Sequence, residues 1–67
     1  MWIQLNGQRH SLDSKLTIEA LLKQLEIEPG RVVVEHNLKI LKKAEHGQTW
    51  VQEDDAIEIV QFVGGGA

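Results

Sequence analysis

The chain has 67 residues, no cysteine and a formal net charge of −3, which limits it to one small domain without disulfides or cysteine-bound metal. Its seven lysines and arginines are spread along the chain, and the longest basic run is Lys42-Lys43, so neither nucleic acid nor an anionic membrane is expected as a partner. The N-terminus lacks a signal-peptide pattern, and no apolar run approaches the ~20 residues of a membrane span. We therefore expect a cytoplasmic protein that is a monomer when free.

The first part of the chain predicts a β-hairpin followed by one helix. Bulky and polar residues alternate from Trp2 to Leu5, and Asn6-Gly7 is the strongest short signal for a type I′ turn. Thr17 is the predicted N-cap of the helix. Apolar residues follow it at helical spacing: Ile18, Leu21, Leu22 and Leu25. Pro29-Gly30 closes the segment, which indicates a helix of about three turns.

The second part of the chain predicts strands. Residues 31–36 are rich in β-branched residues, 38–41 suit a short strand, 42–50 a loop with a helical turn, and 56–63 the last strand. One helix must pack on one face of the sheet, and the first and last strands are apolar enough to form a central parallel pair. The pattern predicts an α+β fold of the ubiquitin-like β-grasp type, with a mixed sheet of four to five strands and one main helix.

The last strand has an informative alternation. If Ile57 and Ile59 face the core, then Glu58, Val60 and Phe62 face outward. An exposed valine and phenylalanine two residues apart, on one face of the strand and just before a glycine tail, indicate a docking patch. The alternative is that Phe62 folds back onto the edge of the core.

Three glycines follow this strand. We predict a β-grasp domain over residues 1–63 and a flexible glycine-rich tail over residues 64–67, in which Gly64, Gly65 and Gly66 contribute no side chains. An ordinary frayed terminus is the common alternative for such an end.

No set of residues has the spacing of a catalytic or metal site. The three histidines, His10, His36 and His46, are far apart and are expected on the surface or at strand ends. Glu53-Asp54-Asp55 indicates a solvated acidic turn. Trp2 and Trp50 are expected to fill a small core. We therefore predict no catalytic residue, no metal ligand and no bound cofactor, and a protein that is not an enzyme.

Taken together, four segments resemble the thiamine branch of the ThiS/MoaD family of ubiquitin-like sulfur carriers. They are Asn6-Gly7 after the opening strand, the helix from Thr17 to Leu22, the stretch from Pro29 to Asn37, and the ending from Ile57 to Gly66. The resemblance covers the whole chain, and its length favours the thiamine branch because the molybdopterin branch is usually longer.

The resemblance implies a mechanism and three partners. A ThiF-type adenylating enzyme, which consumes ATP, would join the C-terminal glycine carboxylate to AMP. A persulfide sulfur donor would convert it to a thiocarboxylate, and a ThiG-type thiazole synthase would use that sulfur to build the thiazole of thiamine. Gly66 would bear the sulfur after loss of Ala67, with Gly65 before it. The expected partner-binding residues are Glu58, Val60, Phe62 and Val63.

Ala67 departs from the family pattern, in which active carriers end in Gly-Gly. Removal of Ala67 is the favoured explanation, and a partner that tolerates it, or a chain that is not a working carrier, are the alternatives. Two other functions stay open at this point. One is sulfur transfer for molybdopterin or another pathway, and the other is a non-catalytic ubiquitin-like interaction module with an inert tail.

Overall fold

The computed structural model of the protein describes residues 1–61. Within this part the strands are β1 (Trp2–Leu5), β2 (Gln8–Ser11), β3 (Val32–His36), β4 (Lys39–Leu41) and β5 (Ala56–Gln61), and the helix is α1 (Ile18–Gln24). Short 3-10 helices span Pro29–Arg31 and Lys43–Gln48, and the second is the helical turn predicted for the long loop. The boundary predicted between residues 63 and 64 lies outside the described residues and stays a prediction.

The strands form one mixed sheet in the order β2-β1-β5-β3-β4. β1 and β5 are parallel neighbours, whereas the other three pairings are antiparallel. The hairpin, the single helix and the parallel pair of first and last strands confirm the predicted β-grasp fold. β5 has a strand on each side, and it is the strand that leads toward the glycines.

Local sequence signals determine the conformation of the first hairpin turn and the start of the helix. Asn6 and Gly7 have φ values of 52° and 81°, which is the left-handed conformation that a type I′ turn requires at both positions. The hydroxyl of Thr17 accepts a hydrogen bond from the N–H of Ala20 over 3.1 Å, which confirms the predicted N-cap.

The helix is shorter than predicted. α1 has seven residues, and Leu25 is its C-cap. Glu26 follows at a φ of 60°, and the N–H of Ile27 donates to the C=O of Leu22 over 2.9 Å. This is a Schellman motif, in which one left-handed residue ends the helix. Because that residue is usually glycine, the sequence pointed instead to Pro29-Gly30.

The core lies between α1 and one face of the sheet. It is built from ten buried apolar side chains: Ile3, Leu12, Ile18, Leu21, Leu22, Val32, Val34, Leu41, Val51 and Ile57. Every strand except β2 contributes to it, and Leu12 and Val51 from the connections complete it. No helix in residues 1–61 is long and apolar enough to cross a membrane.

The prediction that both tryptophans fill the core was wrong. Trp2 is 45% exposed and Trp50 is 51% exposed. Ile3 faces the core, so its strand neighbour Trp2 must point to the other side of the sheet, where the guanidinium of Arg9 lies 4.9 Å from the ring centroid. The ammonium of Lys15 lies 5.7 Å from the ring of Trp50.

Candidate functional site

The face of the sheet opposite α1, which we name the open face, exposes the outward side chains of β5. Ile57 is buried and Ile59 packs against the core, whereas Glu58 is exposed and Val60 is 58% exposed. The predicted alternation along the last strand is therefore confirmed for these residues. Their role in binding a partner stays a prediction.

Strand register places three further residues beside them. Val33 is the cross-strand partner of Val60, Glu35 is the partner of Glu58, and Glu35 in turn is paired with Ile40. Ile40 is 64% exposed. These neighbours were not predicted, because the pairing of β3 with β5 is a long-range property that short-range alternation does not specify.

On the open face, near the C-terminal end of β5, a pair of valines thus lies next to a pair of glutamates. Val33 and Val60 form one cross-strand pair, and Glu35 and Glu58 form the next. Like charges directly opposite each other are unfavourable in a sheet. A partner surface that brings a cation between apolar side chains would relieve that repulsion and cover the valines.

The remaining predicted site residues follow β5 in the sequence. Phe62, Val63, Gly64, Gly65 and Gly66, and with them Ala67, lie outside the described residues. The last residue that the structure describes still lies in the sheet. Gln61 ends β5 opposite Val32, the first residue of β3.

The sequence predicted a solvated acidic turn before β5, and this prediction was wrong for Asp55. Asp55 is buried, and its carboxylate accepts from the N–H of Gln52 over 2.8 Å and from the side-chain amide of Asn37 over 3.0 Å. The ring Nε2 of His36 lies 2.7 Å from the same carboxylate. Burial alone would raise the pKa of Asp55, but the hydrogen bonds from Asn37, His36 and Gln52 outweigh it and lower that pKa.

The histidines do not form a metal site in the part of the chain that the structure describes. No three histidine, cysteine, aspartate or glutamate side chains of residues 1–61 cluster closely enough to hold a metal ion. His36 ends β3, as expected of a histidine at a strand end. His46 departs from the expectation, because it is buried in the second 3-10 helix, where burial lowers its pKa.

A parallel pair of first and last strands, one helix on one face and a glycine-rich ending after the last strand define a small ubiquitin-like β-grasp protein. The model of the ThiS family matches residues 3–66. The chain belongs to the ThiS family.

Similar proteins agree with this assignment. The chain is 39% identical over 66 residues to the sulfur carrier protein ThiS of Bacillus subtilis, covering 96% of this chain and 98% of that one. The crystal structure of the thiamine biosynthesis protein ThiS from Geobacter metallireducens superposes with a TM-score of 0.87 at 32% identity, over 98% of this chain and all of the other.

A third relative is much longer than this chain. It is a protein of Magnetococcus marinus named thiazole synthase, which is 42% identical over 66 residues and 98% of this chain. The chain spans only 20% of the length of that relative.

Proposed function

We propose that this protein carries sulfur for thiazole formation in thiamine biosynthesis, on the carboxylate of Gly66. The observation that supports this most directly is the extent of the family match, which runs through the whole fold and ends at Gly66, leaving out Ala67. The similarity to a Bacillus subtilis protein named a sulfur carrier adds to it. Gly66 would become the terminal residue when Ala67 is removed.

The chemistry begins with activation, because a carboxylate has no good leaving group. A ThiF-type enzyme would transfer AMP from ATP to the Gly66 carboxylate, releasing pyrophosphate and forming an acyl-adenylate. The terminal sulfur of a persulfide donor would attack the acyl carbon and displace AMP, which leaves an acyl disulfide. A thiol would then reduce the sulfur–sulfur bond by two electrons, leaving a thiocarboxylate on Gly66 and a disulfide on the donor.

Glycine suits this chemistry because it has no Cβ. Gly64, Gly65 and Gly66 allow the backbone to approach other groups closely. The end of the chain must enter two different active sites during such a cycle, first as a carboxylate and then as a thiocarboxylate. A side chain next to the reacting carbon would add bulk to the chain end and hinder its entry into these active sites. Loss of Ala67 removes the Cβ that would otherwise lie beside that carbon.

We propose a ThiG-type thiazole synthase as the protein that receives the sulfur. The supporting observation is the relative from Magnetococcus marinus, in which a segment similar to this chain is covalently part of a much longer protein named thiazole synthase. Two partners that act on one another in separate chains are often found joined in one. Neither the synthase nor the adenylating enzyme is expected to leave a cofactor bound to this chain.

The open face beside the end of β5 is the proposed docking surface. Val60 is 58% exposed and next to Val33, and Phe62 and Val63 follow in the sequence. Docking at this place would hold the strand that leads to Gly66, while leaving the glycines outside the contact. Glu58 and Glu35 favour a partner with a basic group at the same place.

The test is intact-mass spectrometry of two forms of the chain, one made to end at Gly66 and one that retains Ala67, each incubated with a ThiF-type enzyme, ATP, a persulfide donor and a thiol reductant. We expect a species that ends at Gly66 with one oxygen replaced by sulfur. A variant that lacks residues 64–67 is the control, because it has no glycine at its end, and it should bind the enzyme but gain no sulfur. A sulfur-containing species that retains Ala67 would overturn the assignment to Gly66, and the absence of any sulfur-containing species would overturn the carrier function.

A further inference from the structure

The backbone groups of β5 alternate between its two neighbouring strands. The N–H of Asn6, at the end of β1, donates to the C=O of Ile57 over 2.9 Å, whereas the C=O of Ala56 accepts from the N–H of Asn37, at the end of β3, over 2.8 Å. Because this direction alternates residue by residue along a strand, the N–H and C=O of Gln61 face the β1 side.

Asn6 ends the pairing of β1 with β5. Its φ of 52° turns the chain into the hairpin, and its side-chain Oδ1 accepts from the N–H of Ile59 over 2.7 Å. If β1 continued, a backbone C=O of β1 would accept from the N–H of Ile59. The side chain of Asn6 accepts that hydrogen bond instead. Beyond it, no hydrogen bond among residues 1–61 satisfies the C=O of Ile59 or the N–H of Gln61.

We infer that these two backbone groups pair with an extended segment of the adenylating enzyme, so that the enzyme adds a short strand to β5 where β1 stops. One residue of that segment would donate its N–H to the C=O of Ile59 and accept from the N–H of Gln61, as in a parallel ladder. This inference rests on the proposed function, because it concerns the enzyme that activates the carboxylate after β5.

Such pairing would determine how far the carboxylate at the end of the chain extends into the active site of the enzyme. A shift of one residue along a strand moves everything beyond it by about 3.3 Å, and a displacement of that size takes a carboxylate out of position for attack on ATP. Side-chain contacts with Val60 alone would permit sliding. Hydrogen bonds on both sides of Val60, at Ile59 and Gln61, fix the register.

The neighbouring charges favour an enzyme segment over a second copy of this chain. Glu58 directly precedes Ile59, whose C=O is one of the two unpaired groups. Each chain also has a net charge of −3. A second copy on the same edge would place like charges together. The unpaired groups also flank Val60, so that one partner would cover both the edge and the proposed docking surface.

The matched variants are Gln61→Pro and Gln61→Ala. Both remove the same side chain, but only proline removes the N–H, and that N–H is not used by the described fold. Val60, which precedes the proline, is already extended, as that position requires. We expect Gln61→Pro to bind the ThiF-type enzyme about tenfold more weakly than Gln61→Ala, which corresponds to the loss of one hydrogen bond.

Amide hydrogen exchange of the wild-type chain gives a second reading that does not depend on the proline variant folding. We expect the Gln61 amide to exchange rapidly in the chain alone and at least about tenfold more slowly in the complex. Equal affinities of Gln61→Pro and Gln61→Ala, or an unchanged exchange rate in the complex, would overturn the inference. Slowing that appears at high concentration without enzyme would assign the edge to a second copy and would also overturn it.

The sulfur-transfer assay keeps this inference separate from the proposed function. If the wild-type chain gains sulfur while the two Gln61 variants bind equally, only the strand pairing is wrong. If the chain made to end at Gly66 gains no sulfur, the carrier function itself is wrong.

Discussion

Asn37 and Ala56 are joined by two hydrogen bonds between the β3–β4 turn and the start of β5. The N–H of Asn37 donates to the C=O of Ala56 over 2.8 Å, and the N–H of Ala56 donates to the side-chain Oδ1 of Asn37 over the same distance. Asp55 completes the arrangement by accepting from the other end of the Asn37 amide. The beginning of the strand that leads to the proposed reactive end is therefore held by hydrogen bonds among Asn37, Asp55 and Ala56, and of these only the Asp55 side chain is buried.

The first prediction concerns the charge of Asp55. We expect Asp55→Asn to lower the free energy of unfolding by about 1–3 kcal/mol, because it removes charge-assisted hydrogen bonds and places an amide group against donors. Asp54→Asn is the matched control, since Asp54 is exposed and its φ of 69° suits asparagine, and it should change stability by less than about 0.5 kcal/mol. Urea denaturation at pH 7 measures both. Equal effects of the two variants would contradict the role of Asp55.

The same substitution has a predicted pH dependence. The pKa of Asp55 is lowered in the folded protein from an ordinary value of 3.8, so the ionised carboxylate stabilises the fold above that value. This contribution is lost as the pH falls through the folded-state pKa. The stability difference between the wild-type chain and Asp55→Asn should therefore shrink on acidification below about pH 4. A difference that stays constant down to pH 2 would show that ionisation is not its source.

A second pH effect, of a different residue, is expected at higher pH. His46 is buried, and among the described residues its Nδ1 has no hydrogen-bond partner. Burial and Lys43 lower its pKa below the ordinary value of 6.5, while Glu19 and Glu45 oppose that shift. The unfolded chain therefore takes up a proton more readily, and stability falls as the pH drops below about 6.5.

We expect His46→Phe to abolish this loss. Unfolding by urea between pH 5 and pH 7.5 should show the wild-type chain losing stability toward the acid end, and His46→Phe should be flatter over the same range. The pKa of Asp55 is lowered from 3.8, so Asp55 stays ionised between pH 5 and pH 7.5 and contributes equally to the stability of both proteins. Identical slopes in the two proteins would contradict the assignment to His46.

Leu38 is a point of strain in the β3–β4 turn. Its φ is 71° and its side chain is 89% exposed, so it occupies a left-handed position that disfavours a Cβ and gains no burial there. We expect Leu38→Gly to raise the free energy of unfolding by about 0.5–1 kcal/mol, which is the strain relieved less the entropy that glycine adds to the unfolded chain. Leu38→Ala keeps the Cβ and should leave stability unchanged. Equal stabilities of the alanine and glycine variants would contradict this explanation.

Local sequence signals predicted most of the fold. Asn6-Gly7 determines its turn by backbone conformation, Thr17 caps the helix with its own hydroxyl, and the alternation from Ile57 to Val60 sets which side chains face the core. Each of these depends on residues within a few positions of one another. Local reasoning was wrong at the helix end, where Glu26 adopts a conformation that is usual for glycine, and at Trp2, which is exposed beside the buried Ile3.

Features that depend on distant partners were not predictable in this way. Asp55 was expected in water because it lies in an acidic run, but its partners His36 and Asn37 are 19 and 18 residues away. The same holds for the candidate site. Val60 was found by alternation, whereas its neighbour Val33 became visible only through the register of β3 with β5.

The last prediction tests the docking surface. Val60→Asp places a charge on the open face next to Glu58, at a side chain that is mostly exposed, so the fold should persist. We expect affinity for the ThiF-type enzyme to fall at least about tenfold, because a carboxylate that must lose its water in the interface replaces an apolar contact. Gln4→Asp is the matched control, since it adds the same charge to the same face, but beside Ala56 at the start of β5.

Titration calorimetry measures binding, and urea denaturation verifies that both variants are folded. Sulfur transfer at low enzyme concentration should fall with Val60→Asp and recover when the enzyme is raised above the weakened dissociation constant, because the variant keeps Gly66 intact. Failure to recover would indicate that Val60 affects the chemical step and not docking alone. If Val60→Asp and Gln4→Asp bind equally well, the docking surface lies elsewhere on the molecule.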